Sequence, residues 1–233
     1  MMFLFAFLCS TATAWEIRLD DAGQEMRWRS QEVSYSVNAK GALGLSHAAV
    51  ETLVAAATRN WSTPLQGKLV FNQNGNTDIK QAAHNDSVNV IYFDDAWTHD
   101  PSLLALTYVW SNPHGEIIGF DLAVNATDHD WATDGRSDAN DLLNTLSHEI
   151  GHALGIDHSP DIELATMYPS SPAGETQKRD LHEDDVAAAQ YLYVNEPSPE
   201  ATGCATVSAA SVGWVWPTLL AFLVSLRSRE TLS

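Results

Sequence analysis

The stretch His148-Glu149-Ile150-Gly151-His152-Ala153-Leu154-Gly155-Ile156-Asp157-His158 sets three histidines and one carboxylate at spacings that a single zinc ion can use. On an α-helix, residues four apart lie about 40° apart around the axis, so His148 and His152 project side by side from one face. Glu149 sits roughly 60–100° further round, within reach of a water on that ion and badly placed to be a ligand. It reads as a general base. A helix cannot bring a third histidine to the same point, so the chain must turn. Gly155 supplies the residue most easily left-handed at a helix C-terminus, and the chain doubles back to deliver His158. Three neutral imidazoles leave the fourth tetrahedral position of zinc open, the arrangement of catalytic sites as opposed to closed structural ones. Zinc lowers the pKa of water from 15.7 to about 7, and a carboxylate beside it can take the proton as water attacks a carbonyl. Ordinary helix residues with surface histidines are the plain alternative. The five fixed positions HExxHxxGxxH would arise by chance less than about once in 10⁴ chains of this length, which sets it aside.

HExxHxxGxxH followed by Ala165-Thr166-Met167-Tyr168-Pro169 resembles the metzincin zinc endopeptidases, with Met167 at their Met-turn. Ser159 after the third histidine and the Met-Tyr-Pro wording resemble, within that clan, the matrixins, the family of matrix metalloproteinases and their bacterial relatives. The similarity covers roughly residues 28 to 194, and the stretch from 148 to 169 is its specific part. The resemblance implies an α/β fold, a twisted and mostly parallel sheet with an active-site helix and a Met-turn. It implies one catalytic zinc held by His148, His152 and His158, with Glu149 as base and later proton donor. It places Pro169 in the wall of the substrate pocket and pairs a protein or peptide substrate with an edge strand around Leu104 to Tyr108. Gly115-Glu116-Ile117-Ile118-Gly119-Phe120-Asp121 with Asn125 is similar to strand wording in bacterial matrixins.

The sequence also departs from the family. Where animal matrixins carry histidine ligands of a second, structural zinc, it aligns Leu106 and Ala123, so one zinc is expected and not two. Ser170-Ser171 stand where many matrixins place a specificity-pocket tyrosine, and no cysteine-switch pro-segment is expected between Trp15 and the domain. His47, His84, His99, His114, His129 and His182 share no ligand spacing and read as ordinary histidines.

The formal charge of −18, from 30 acidic against 12 basic residues, repels phosphate backbones, so nucleic acid is not an expected partner. The length of 233 residues, 45% hydrophobic, accommodates one packed domain with accessory segments, and a monomer is expected. Cys9 and Cys204, the two cysteines, lie in the apolar ends and give the body no disulfide framework. Residues 1–14 read as a signal peptide: an apolar run too short to span a bilayer ends in Ala12-Thr13-Ala14, a small-x-small cleavage site. Residues 15–27 form a short N-terminal segment and 28–194 the catalytic domain.

Within that domain, Val33 to Val37 alternates with period two and predicts a strand. A helix capped by Ser46 follows, with an apolar stripe of Val50, Leu53, Val54 and Ala57 towards Trp61. Leu69–Phe71, Val88–Phe93, Leu103–Trp110 and Ile117–Val124 predict further strands. The acidic stretch from Asn125 to Asp141, with Asp128, Asp130, Asp134, Asp138 and Asp141, is either a calcium loop or a solvated one. Asp138 is the expected N-cap of the active-site helix, whose buried face is Leu142, Leu146, Ile150, Ala153 and Leu154. A closing helix is expected over Asp180 to Tyr193.

Residues 195–203 form a Pro-Ser linker. Residues 204–226 predict a transmembrane or sorting segment, just long enough to cross a membrane, and 227–233 a cytoplasmic tail with Arg227 and Arg229. A terminal helix packed on the domain is the alternative. Gly203-Cys204 ahead of the apolar span and the arginine-containing tail resemble the C-terminal sorting signals of myxobacterial-type surface proteins. The sequence therefore reads as a secreted or envelope-anchored zinc endopeptidase. A narrow processing peptidase, or a non-catalytic surface-binding module with a vestigial metal site, are the alternatives.

Overall fold

The period of two in Glu32–Asn38 (β1) buries Val33, Tyr35 and Val37 on one face and starts the sheet. The computed structural model describes residues 14–42, 44–84 and 86–195. Val70–Asn76 (β2), Val90–Asp94 (β3), Ala105–Ser111 (β4) and Ile117–Asn125 (β5) complete a five-stranded sheet of order β2-β1-β3-β5-β4. β1 runs parallel to β2 and to β3, and β3 parallel to β5. β4 is antiparallel to β5 and forms one edge. The expected mostly parallel α/β sheet is present, and its one antiparallel pairing lies at that edge. Trp131–Ala132 (β6) and Asn140–Asp141 (β7) make a small parallel pair of their own.

The helices cover one face of this sheet. His47–Ser62 (α1) starts where the Ser46 side chain accepts from Ala49 N, as expected, and buries Val50, Val54, Ala57 and Trp61 at helical spacing. Pro64, in the 3₁₀ turn Thr63–Leu65, ends it. Leu142–Ala153 (α2) buries Leu142, Leu146, Ile150 and Ala153 against the same core. The Trp61 indole N–H donates to the Ser147 carbonyl at 2.7 Å and joins the two helices. Glu183–Tyr193 (α3) closes the domain, with Ala188, Ala189 and Leu192 buried.

The structure corrects the expected boundaries in two places. The N-cap of α2 is Asp141, which accepts from Asn144 N at 3.0 Å, and not Asp138. The pairing of β7 with β6 keeps the chain extended through Asp141, so the helix begins one turn later than expected. Asp138 is left exposed beside Arg136. The last helix begins at Glu183, because His182 takes the N-cap with its side chain accepting from Asp184 N. Strands β2, β3 and β4 each start one or two residues after the apolar run that announces them.

The segment before Trp28 is paired to the body. Ile17 bridges Ile156 in antiparallel fashion, Leu19 bridges Glu25, and Arg27 bridges Glu116. The expected signal peptide up to Thr13, the linker beyond Asn195, the apolar C-terminal segment and the tail lie outside the described residues. Among the described residues, no helix is long and apolar enough to cross a membrane.

Candidate metal centre

α2 and the turn after it bring three imidazoles together. His148 and His152 project from one face of the helix, their ring centroids 4.9 Å apart. The helix ends in a Schellman turn: Gly155 N donates to the His152 carbonyl, Ile156 N donates to the Gly151 carbonyl, and Gly155 takes φ +92°. A Cβ at Gly155 would lie 2.1 Å from the Met26 carbonyl oxygen, so both the conformation and the space call for glycine. The reversed chain carries His158 to 5.2 Å from His148 and 4.8 Å from His152, ring to ring.

One ligand atom from each histidine lies within 4.8 Å of the other two, a separation that one ion can bridge. Nδ1 of His148 lies 2.7 Å from the Thr166 carbonyl, and Nδ1 of His152 lies 2.9 Å from the Ile156 carbonyl. A carbonyl only accepts, so each Nδ1 carries the proton and Nε2 keeps its lone pair for a metal. Burial is the first cause that keeps the rings neutral. It holds His148 well below the ordinary histidine value, with His152 adding to it; it brings His152 to about 4 and lowers His158 as well. The donor set fits zinc: three neutral imidazoles with a position left open.

Met167 lies fully buried, its sulfur against Gly151 of α2. Its backbone N donates to Asp185 Oδ1 at 3.0 Å, and its carbonyl accepts from Ser159 N at 2.9 Å. Asp185 Oδ2 accepts from Thr166 N and His182 N, so one buried carboxylate takes three backbone N–H groups and ties this turn to α3. The Thr166 carbonyl then backs His148. Gly151 leaves the room that Met167 fills, since a Cβ there would meet its Sδ at 2.2 Å.

Glu149 is 6% exposed and lies between α2 and β4, where Oε2 accepts from the Thr107 hydroxyl at 2.6 Å. Burial pushes its pKa up to about 7, against the downward pull of that hydroxyl and of the Arg18 guanidinium. The three histidines and Glu149 line a cleft of about 840 Å³. Leu104 and residues 105–107 of β4, Tyr168, Pro169, Ser170, Ser171 and residues 16–19 also line it.

The matrixin family profile matches residues 27–194. The chain belongs to the matrixin family. Matrixins are zinc metalloendopeptidases, and curated relatives agree with the assignment. Interstitial collagenase B of Mus musculus is 32% identical over 199 residues, covering 84% of this chain and 40% of the collagenase. Matrilysin of Homo sapiens is 33% identical over 174 residues, 72% of this chain and 58% of matrilysin. Metalloendoproteinase 2-MMP of Arabidopsis thaliana is 37% identical over 111 residues, 45% of this chain and 27% of that protein. This matrixin therefore spans less than two thirds of each of these relatives.

The other expected site residues have definite places. Leu106 and Ala123 are cross-strand partners on the face of the sheet away from α2, beside the cluster of Val90, Tyr92 and Trp97. That part of the sheet is held by apolar packing. In the acidic loop, Asp128 accepts from the Asn125 side chain, Asp138 pairs with Arg136 and Asp141 pairs with Arg179. Among the described residues, the histidine triad is the group with metal-holding geometry. His99 binds the Tyr108 hydroxyl and His182 caps α3. Sequence reading missed Asp185, Thr107 and residues 16–19. A carboxylate at the third position of a helix, three residues after a capping side chain, is the one signal that pointed to Asp185.

Proposed function

We propose that this matrixin is a zinc-dependent endopeptidase that hydrolyses peptide bonds of proteins outside the cytoplasm. The observation that carries the reading is the placement of Glu149 in the same cleft as three histidines whose Nδ1 protons are committed or whose burial keeps them neutral. His148, His152 and His158 would hold zinc, which when bound supplies Lewis acidity that makes water nucleophilic at neutral pH. Glu149 takes the proton of that water and later returns it to the leaving amine. The free edge of β4 accepts the substrate main chain as an added strand, and Pro169 contributes to the wall that receives a side chain. Gly155 and Met167 shape the ligand set and do not react.

Placement outside the cytoplasm rests on the apolar N-terminus, and envelope anchoring on the apolar stretch after Cys204. The bacterial affiliation rests on the strand wording from Gly115 to Asn125, and the sorting signal on Gly203-Cys204. Intact-mass analysis of the mature protein tests the sorting reading: a chain still ending at Ser233 excludes processing at Cys204.

Glu149→Ala tests the chemistry. Hydrolysis of a quenched fluorescent peptide should be lost while elemental analysis still finds one zinc per chain, because the carboxylate moves a proton and does not bind the ion. Parental cleavage by the variant would refute the mechanism. Two tightly held zinc ions per chain would refute the single-site reading.

A further inference from the structure

β4 does two things in this fold, and Thr107 connects them. Alternation along the strand turns Leu106 and Tyr108 towards the far face of the sheet, beside Val90 and Ala123, and turns Thr107 towards α2. There Thr107 is 3% exposed, and its hydroxyl meets two oxygens of one residue: Glu149 Oε2 at 2.6 Å and the Glu149 carbonyl at 3.2 Å. A hydroxyl has one proton. The shorter contact, to a carboxylate, is the charge-assisted one and takes it. The other carboxylate oxygen, Oε1, makes no hydrogen bond among the described residues, although Glu149 lines the cleft. A glutamate has three rotatable side-chain bonds, and the Thr107 hydroxyl is the hydrogen-bond donor that this carboxylate meets among the described residues.

We propose that Thr107 is a positioning residue, which by donating its hydroxyl to Glu149 Oε2 fixes the carboxylate so that Oε1 is the oxygen presented to the reacting water. The inference rests on the reading of Glu149 as general base. Threonine suits the task because its β-branch leaves χ1 stiff in a strand, so the donor is held before the substrate arrives. Its backbone also lies in the strand whose open edge takes the substrate. One strand therefore sets both the register of the peptide and the orientation of the base, and a shift of either moves the other.

A merely structural threonine would satisfy its hydroxyl on the nearest acceptor and contribute only stability. The two roles separate in the full chain with Thr107→Ser and Thr107→Ala, which differ by the hydroxyl alone, and with the nearly isosteric Thr107→Val. Rates on a fluorogenic peptide are taken per bound zinc, alongside thermal stability. The expected result is that Thr107→Ser keeps kcat within about 3-fold of the parent. Thr107→Ala and Thr107→Val should lose about 10–100-fold in kcat, the scale on which misplaced groups cost rate, with KM within about 2-fold and zinc retained. Equal kcat for the serine and alanine variants would overturn the inference, as would a rise in KM with kcat unchanged. Glu149→Gln is the control. A parent that cleaves while Glu149→Gln does not, with Thr107→Ala as active as Thr107→Ser, refutes the role of Thr107 alone. A parent that cleaves nothing, or a Glu149→Gln variant as active as the parent, refutes the reading of the site and this inference with it.

Discussion

Replacing Asp185 with asparagine changes one oxygen into an amide and should loosen both the turn at Met167 and the support of His148, the first of the proposed zinc ligands. The wild-type carboxylate accepts from Thr166 N at 2.7 Å, His182 N at 2.8 Å and Met167 N at 3.0 Å, and is fully buried. In Asp185→Asn the remaining oxygen keeps the two donors on its side, and the new NH₂ faces the N–H of Met167. One charge-assisted bond is lost, at about 1.5–3 kcal/mol, and the other two lose their charge at about 0.5–1 kcal/mol each. Burial already pushes this carboxyl above its usual range, so removing the charge returns part of that cost. The net expectation is a loss of about 2–4 kcal/mol, a large part of the roughly 5–15 kcal/mol that holds a domain folded. Urea unfolding should show a midpoint about 1–2 M lower with an unchanged m-value. Because Thr166 also backs His148, zinc affinity should fall about 10–100-fold, measured by chelator competition. A stability change under about 1 kcal/mol with unchanged zinc affinity would refute the chain of contacts from Asp185 through Thr166 to His148.

Gly151→Ala places a methyl 2.2 Å from Met167 Sδ and 2.8 Å from Trp61 Cζ2, an overpacking expected to cost about 1–3 kcal/mol. The melting temperature should fall, and Met167→Ala should recover part of the loss in the double variant; additive losses would contradict the clash. Asp121 sits fully buried in β5, its pKa pushed up to about 6 by burial against the downward pull of the Ala83 and Val90 N–H groups. The folded chain then holds a proton that the unfolded chain releases near pH 4, so this group's stabilisation is complete below pH 4 and is lost as pH rises through about 6. Melting curves from pH 4 to 7 should show the parent losing stability relative to Asp121→Asn as pH rises through about 6. Identical pH profiles would refute the assignment.

The grouping of the three histidines was legible because they are local in sequence. Helix geometry fixes His148 against His152, one glycine fixes the turn, and His158 follows within six residues. The N-cap was misread because Asp138 and Asp141 both precede the helix, and the pairing of β7 with β6 chooses between them. Strand content was also visible, but the reversed direction of β4 was not, since the alternation of Ala105 to Ser111 is the same in either direction. Thr107 lies 42 positions from Glu149, and Asp185 lies 19 from Thr166. Contacts at such separations carry no periodicity, and only the packed sheet and helices bring them together.

The pairing of the N-terminal segment with the turn that carries His158 makes that turn depend on distant parts of the chain. Arg18 N donates to the Gly155 carbonyl and Asp157 N to the Glu16 carbonyl, both at 2.9 Å, across about 140 positions of the chain. Closing a loop of that length costs about 4 kcal/mol by the logarithmic scaling of chain entropy, and the cost falls before the contacts exist to offset it. His148 and His152 need no such closure, because one helix carries both. The spacing of the first two imidazoles is therefore set by local helix geometry. The support on which His158 rests forms only when residues 16–18 meet residues about 140 positions further along the chain, so the place of His158 depends on a long-range closure and the spacing of His148 and His152 does not.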